Sequence, residues 1–305
     1  MLSRVTVRGP AKVNLCLGVG RARPDGYHKL ATVYQAVDLH DELRFVDRDD
    51  DALTVAVHTE LDLPEGSAVP LGDDNITIRA AKLLRHRIGE LDRGADISIR
   101  KVIPVAGGMA GGSADAAATL VGLNELWGGG LSRADLEPLA AELGSDVPFL
   151  LHGGNAIGSG RGEKVSPVLA RGSYNWVFAT AKEGLSTAAV YAEFDRLNPH
   201  GVDEPEVPDA LLNALRAGDP RALGRSLSND LTEASLSLRP ELAETLEIGL
   251  EAGALGAIIS GSGPTTLFLA ASEAHSLDLA MALASASSAA DVIQSRGPVI
   301  GARHI

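Results

Sequence analysis

Residues 103–124 read IPVAGGMAGGSADAAATLVGLN, and the strand-like segment DISIRKVI (96–103) leads into them. A strand that feeds a glycine loop and then an alanine-rich helix constrains the chain more than any other feature. It demands a sheet with a helix laid across it, and it gathers backbone N–H groups where the helix begins. Glycine reaches φ values that other residues resist and leaves room for close approach. A helix N-terminus carries unpaired N–H groups and a partial positive charge. Gly107, Gly108, Gly111 and Gly112, with Ser113 at the expected helix start, therefore form a candidate anion cradle. The same glycines are also compatible with a turn that only packs a helix against a sheet. No lysine ends the loop as in GxxxxGK[ST], and no GxGxxG follows a strand.

The flanking sequence alternates between strand and helix signals. Five segments in the first 60 residues carry strand-like patterning: VTVRG, KVNLCLGVG, LATVYQAVDL, ELRFVD and LTVAVH. Pro24-Asp25-Gly26 marks a turn among them. A polar, Pro- and Gly-bearing stretch covers 62–73. Helices are expected from Asn75 to Gly89, from Ala114 to about Trp127, and over 132–144 between Ser132 and Gly144 as caps. The segment 144–163 reads as a loop, an apolar strand and a glycine turn. Beyond it, strands are expected at 176–181, 255–261 and TTLFLA, with helices at 187–197, 208–217, 219–228 and 239–252. This pattern is α+β in two layers, and 305 residues suit two domains with a boundary near 155–165.

Composition removes several classes of function. The net charge of −13 with six lysines argues against a nucleic-acid surface, though not against one anionic small molecule. No uninterrupted apolar run reaches 18 residues, so no membrane partner is expected. The first residues lack a signal-like apolar run, which makes the cytoplasm the default location. Cys16, the single cysteine, reads as a small buried apolar residue. His40, His86 and His152 show no metal-ligand spacing, and no residue declares itself a metal ligand.

Lys12 and Asn14 sit two positions apart on a strand and so share a face. Their neighbours Val13, Leu15 and Cys16 imply a buried strand, where an unpaired ammonium is costly. Asp146, in the apolar segment Gly144-Ser145-Asp146-Val147-Pro148-Phe149, is the candidate partner. Isolated, Lys12 reads equally as a solvated side chain.

Three ordered motifs now carry a resemblance. Gly9-Pro10-Ala11-Lys12-Val13-Asn14-Leu15, the loop from Pro104 through Val105, Ala106, Gly107, Gly108, Met109, Ala110, Gly111, Gly112 and Ser113 to Ala114, and Ile259-Ser260-Gly261-Ser262-Gly263-Pro264-Thr265 resemble motifs one, two and three of the GHMP kinase superfamily. Met109, Ala110 and Ala114 replace the usual leucine, glycine and second serine of the loop, which removes one hydroxyl. The resemblance implies an N-terminal ribosomal-protein-S5-like α/β domain (1–160), a C-terminal ferredoxin-like α+β domain (161–305) and an active site in the cleft between them. It implies ATP and Mg²⁺ as cofactors, with ATP phosphates on residues 104–114 and Lys101 and Asn75 beside the adenine. It makes Asp146 the base or orienter of the attacking hydroxyl, kept ionised by Lys12.

Arg23-Pro24-Asp25-Gly26-Tyr27-His28-Lys29-Leu30, with DNITIRAAKLL, GSDVPFLL and SNDL, is similar to one branch of that superfamily. The branch phosphorylates the 2-hydroxyl of a cytidine-diphosphate-linked methylerythritol in the non-mevalonate route to isoprenoids. On that likeness Tyr27 and Tyr191 would sandwich the cytosine and His28 would read its polar edge. Thr187 would stand near the reacting end and Asn14 would hold the erythritol hydroxyls. Asp115 reads either as a favourable helix-dipole placement or as a water-mediated contact to Mg²⁺. A kinase of another small alcohol and a non-catalytic nucleotide sensor are the alternatives, and a monomer or a homodimer fits equally.

Overall fold

A computed structural model describes residues 3–59, 69–287 and 289–305. Residues 62–68 of the polar stretch lie outside them. Two sheets organise the chain. The first is built on a long antiparallel hairpin of β1 (Arg4–Ala22) and β2 (His28–Arg48). Its turn follows from local chemistry: Asp25 Oδ1 accepts from the Tyr27 N–H at 3.1 Å, and Gly26 takes φ 79°. β3 (Leu53–Thr59), α1 (Ile76–Ile88) and β4 (Gly94–Lys101) make a parallel crossover that extends this sheet beyond β2.

The helix after the glycine loop is α2 (Gly111–Leu126). Ala114, Ala116, Ala117, Ala118, Leu120 and Leu123 are wholly buried in it, so it is apolar all round and runs through the core. α3 (Arg133–Leu143) starts at Ser132 with a capping box to Asp135. α4 (Val147–His152) is a helix where an apolar strand was expected. Pro148 in its first turn and Gly153 at its end are the signals that outweigh the six-residue apolar run. The strand lies further on, at β5 (Asn155–Ser159), which joins β2 on one side and β6 (Lys164–Pro167) on the other.

The second sheet comprises β7 (Tyr174–Ala181) and three later strands. After β7 come α5 (Thr187–Leu197), α6 (Asp209–Ala217), α7 (Pro220–Ser226), β8 (Ser228–Asn229), α8 (Thr232–Leu238) and α9 (Leu242–Glu251). The chain ends with β9 (Gly256–Ile259), β10 (Thr266–Ala270), α10 (Glu273–Leu283), β11 (Ala289–Gly297) and β12 (Arg303–His304). The strand order is β11-β7-β10-β9, all antiparallel. α8, α10 and β11 are additions to the sequence reading, and the helix expected at 239–252 is confined to 242–251.

Alternation along β7 decides how the layers meet. Trp176 and Phe178 face the large core shared with the first sheet, while Val177 and Ala179 pack with Leu279 and Leu283 of α10. Each fully buried large apolar side chain of this kind contributes about 1.5–3 kcal/mol. A buried polar chain crosses the same boundary: Trp176 Nε1 donates to Gln35 at 2.7 Å, and Gln35 Nε2 donates to Asn155 at 2.7 Å. β8 and β12 both return to pair with β1, so the later half of the chain closes on the first sheet.

Five expected strands in the first 60 residues are thus three. Register shifts at Pro10/Ala11 and Asn14/Cys16 let β1 run through a proline and a polar pair without ending. Those shifts lie on either side of Lys12, and they set how it faces the cleft.

Candidate active site

The glycine loop crosses from β4 to α2 with Ala106 and Ala110 at φ 55° and 59°, beside Gly108 at φ 75°. A Cβ on Gly108 would stand 2.1 Å from the Ser260 carbonyl oxygen, so only glycine lets the second and third motifs touch here. Ser260 Oγ donates to the Gly108 carbonyl at 3.1 Å, which fastens the contact. Ala110 caps α2 without a side-chain hydrogen bond, and the first N–H groups of a 16-residue helix are left facing the cleft.

Two cavities meet at that helix start. The larger, about 710 Å³, is lined by Lys12, Asn14, Tyr27, His28, Tyr34, Asp146, Arg161, Thr187, Tyr191 and Ser262. The smaller, about 380 Å³, is lined by Asn75, Lys101, Val105, Ser113 and Asp115. Pro104, Ala106, Ala110, Gly111 and Gly112 border both, while Gly107 and Gly108 border the larger alone. Met109 and Ala114, the remaining loop residues, are wholly buried, and only their backbone serves the loop.

Lys12 is 5% exposed, and its Nζ donates to Asn14 Oδ1 at 2.7 Å. Asp146 Oδ2 lies 3.7 Å from that nitrogen, and the Tyr34 ring centroid 5.7 Å from it. Asn14 in turn donates to Thr32 Oγ1, which donates to the Cys16 carbonyl, each at 2.7 Å. Asn14 is therefore held at both ends of its amide and fixes where the ammonium points. Asp146 precedes α4 and keeps part of its carboxylate open to the cleft. The Tyr34 phenol feels its charge, and Phe149 stacks on the Tyr34 ring at 4.9 Å. Burial, then the neighbouring Asp146 charge, raise the Tyr34 phenol well above its usual range, so it stays a neutral donor. Cys16 on the same strand is buried, and that burial pushes its thiol up to about 12.

The second cavity has a different electrostatic floor. The Lys101 ammonium is paired with both Asp41 and Asp115, the latter at 2.6 Å. Asp41 also accepts the Val102 and Ile103 N–H groups at 2.6 and 2.8 Å. Burial opposes the Lys101 charge, but the two carboxylates outweigh it and raise the lysine. Burial also raises Asp115 well above its usual range; the Lys101 charge opposes this without reversing the shift, and the Asp41 charge adds to it. Among the described residues Asp115 Oδ1 is buried without a hydrogen-bond partner. Asn75 caps α1 by accepting from the Thr77 N–H at 2.8 Å, and its amide donates to the Pro70 carbonyl at 2.5 Å.

At the far end of the larger cavity, α5 closes over the start of β2. Tyr191 lies against His28, ring centroids 4.8 Å apart and tilted by 38°. Burial and then Asp146 push the Tyr191 phenol up to about 12. Tyr27 is 52% exposed at the rim and carries the Arg161 guanidinium 4.9 Å from its ring centroid. His28 Nε2 lies 2.9 Å from Asp195 Oδ1, and Thr187 Oγ1 lies 2.9 Å from Ser262 Oγ of the third motif. Apart from Met109 and Ala114, the expected site residues line two adjoining cavities. Tyr34, Arg161, Asp195 and Asp41 were missed. Asp195 alone had a local signal, four positions after Tyr191 on the same helix face.

Comparison with known proteins agrees with this geometry. The profile of the GHMP kinases N terminal domain matches residues 75–154, and that of the GHMP kinases C terminal matches 211–289. A 4-diphosphocytidyl-2-C-methyl-D-erythritol kinase of Nocardia farcinica is 55% identical over 99% of this chain and 97% of its own. One from Thermobifida fusca is 53% identical over 98% and 97%. A crystal structure of 4-(cytidine 5'-diphospho)-2C-methyl-D-erythritol kinase superposes with TM-score 0.74 at 31% identity, covering 97% of this chain and 99% of that one. The chain belongs to the GHMP kinases, in the 4-diphosphocytidyl-2-C-methyl-D-erythritol kinase branch.

Proposed function

We propose that this chain transfers the γ-phosphoryl group of ATP to the 2-hydroxyl of 4-diphosphocytidyl-2-C-methyl-D-erythritol, in the methylerythritol phosphate route to isoprenoids. The observation that carries the reading is the meeting of two cavities at the N-terminus of α2, with Lys12 and Asp146 at the larger one. The smaller cavity, with Asn75 and Lys101 on its wall, takes the adenosine. The loop from Pro104 to Ala114 takes the phosphates on its backbone N–H groups. The larger cavity takes the cytidyl alcohol: Tyr27, His28 and Tyr191 at the base, Thr187 and Asn14 nearer the hydroxyls.

The step follows from what these groups can do. The acceptor oxygen bonds to the γ-phosphorus while the bond from that phosphorus to the β–γ bridging oxygen breaks, and ADP leaves. Asp146 accepts the hydroxyl's hydrogen bond and receives its proton. Lys12 lies close enough to counter charge on the transferred phosphoryl oxygens. In a loose transition state such positioning and charge matter more than early proton removal. An Mg²⁺ ion bound with ATP would supply neutralisation of phosphate charge. Among the described residues no three His, Cys, Asp or Glu side chains converge on one point. Asp115 is a poor candidate ligand, since the Lys101 ammonium already stands against it.

The chain divides at 160/161 on this reading. Residues 1–160 bring the loop, Lys12 and Asp146, and residues 161–305 bring Thr187, Tyr191 and the third motif. The test is ADP release and ³¹P NMR of the product from MgATP with the cytidyl substrate, beside the same alcohol without its cytidyl group. Turnover with the cytidyl substrate, falling roughly 10²–10⁴-fold in Asp146→Asn, is the expected result. Turnover on mevalonate or homoserine instead would discard the base pocket and keep the kinase.

A further inference from the structure

Helix α5 surrounds the His28 ring with three side chains from just over one turn. Tyr191 covers a face, Phe194 stands edge-on at 6.2 Å, and Asp195 meets a ring nitrogen at 2.9 Å. Asp195 is four residues after Tyr191, so the two share a helix face. The neighbouring Arg196 turns instead to Glu193, with two hydrogen bonds of 2.7 Å. Among the described residues His28 is the one ion-pair partner recorded for Asp195. An ionised carboxylate only accepts hydrogen bonds, so the ring nitrogen facing it carries the proton. A neutral His28 then has its lone pair on Nδ1. Among the described residues the His28 ring's one hydrogen bond is the Nε2 contact to Asp195, and His28 lines the larger cavity.

We infer that Asp195 is the positioning residue that sets base choice: by holding His28 as the Nε2–H tautomer, it makes Nδ1 an acceptor that selects an amino-bearing pyrimidine over a carbonyl-bearing one. The inference rests on the proposal that this cavity takes a cytidyl group. An exocyclic amino group donates to Nδ1. A uracil-type carbonyl at the same place sets two acceptors against each other beside a ring that is only 8% exposed, and a mismatch of that kind lowers kcat/KM by about ten- to hundredfold. Asp195 acts through the ring and need not touch the substrate.

The experiment compares kcat/KM for the cytidyl substrate and its uridyl counterpart in the full chain and in Asp195→Leu and Asp195→Glu, with MgATP saturating. ¹⁵N NMR of histidine-labelled protein reads the His28 tautomer directly. The expected result is an unprotonated Nδ1 in the parent chain and a cytidyl preference of about tenfold or more. In Asp195→Leu that preference collapses to within about threefold and the tautomers mix, while the KM for ATP stays unchanged; Asp195→Glu restores part of the preference. A preference that survives in a folded Asp195→Leu chain overturns the inference and leaves the functional proposal standing. So does a parent chain whose His28 is protonated on Nδ1. Absence of turnover with both substrates refutes the functional proposal, and the role of Asp195 in base choice falls with it.

Discussion

Two lysines of this chain are buried to the same degree, 5% exposed at Lys12 and 4% at Lys101, and both sit on strands of the first sheet. Their surroundings are opposite. Lys101 is clamped between two buried carboxylates that outnumber it, and burial raises Asp115 despite the Lys101 charge. Lys12 has an amide oxygen at 2.7 Å and one partly open carboxylate at 3.7 Å. One charge is spent on holding β4, α2 and β2 together. On the proposed function, the other keeps attraction in reserve for a phosphoryl group. Burial of a lysine therefore says little about its work, and the count and distance of its anions says more.

The comparison is broken most forcefully at Lys101. Replacing it with methionine leaves Asp41 and Asp115 buried without their cation, and Lys101→Met is expected to lose about 3–5 kcal/mol in urea unfolding. A loss under about 1 kcal/mol would mean that Asp41 does not depend on the Lys101 charge. Gly108 tests the loop that separates the two lysines' cavities. Alanine there must keep φ 75° and push back the Ser260 carbonyl, so Gly108→Ala is expected to lose roughly 1–3 kcal/mol and to raise the KM for ATP more than that for the alcohol. An unchanged KM for ATP would remove the loop from the phosphate site.

A smaller effect sharpens the account of Asp115. Its native carboxyl titrates above its unfolded value, so between those two pH values the native chain binds more protons than the unfolded one. Stability from this group is present below the unfolded value near 4 and is lost as pH rises through the window. Asp115→Asn has no such proton to lose. The melting temperature of the variant is expected to gain on that of the parent as pH rises from about 4. A pH-independent difference would contradict the raised Asp115.

Much of this layout was legible because it is written locally. The glycine loop, the Asp25-Gly26 turn, the Asn75 and Ser132 caps and the three ordered motifs each need only a few neighbouring residues. VPFLLH was misread because six apolar residues fit a buried strand or a helix equally, and the proline in its first turn was not weighed. The strands were cut too short because bulges at Pro10 and Asn14 look like breaks from outside the sheet. The electrostatic partners were illegible for another reason. Asp41 is 60 positions from Lys101, and Asp195 is 167 from His28, so only the finished fold joins them. Met109 and Ala114 show the converse: they sit inside the loop motif, yet their side chains belong to the core.

Lys12→Met bears most directly on the central claim, with turnover and melting temperature measured on the same preparation. The account predicts a fall in kcat of roughly 10²–10³-fold with the melting temperature unchanged or raised, since removing an incompletely paired buried cation relieves its desolvation. A variant that keeps its turnover, or that unfolds as readily as Lys101→Met, would contradict it.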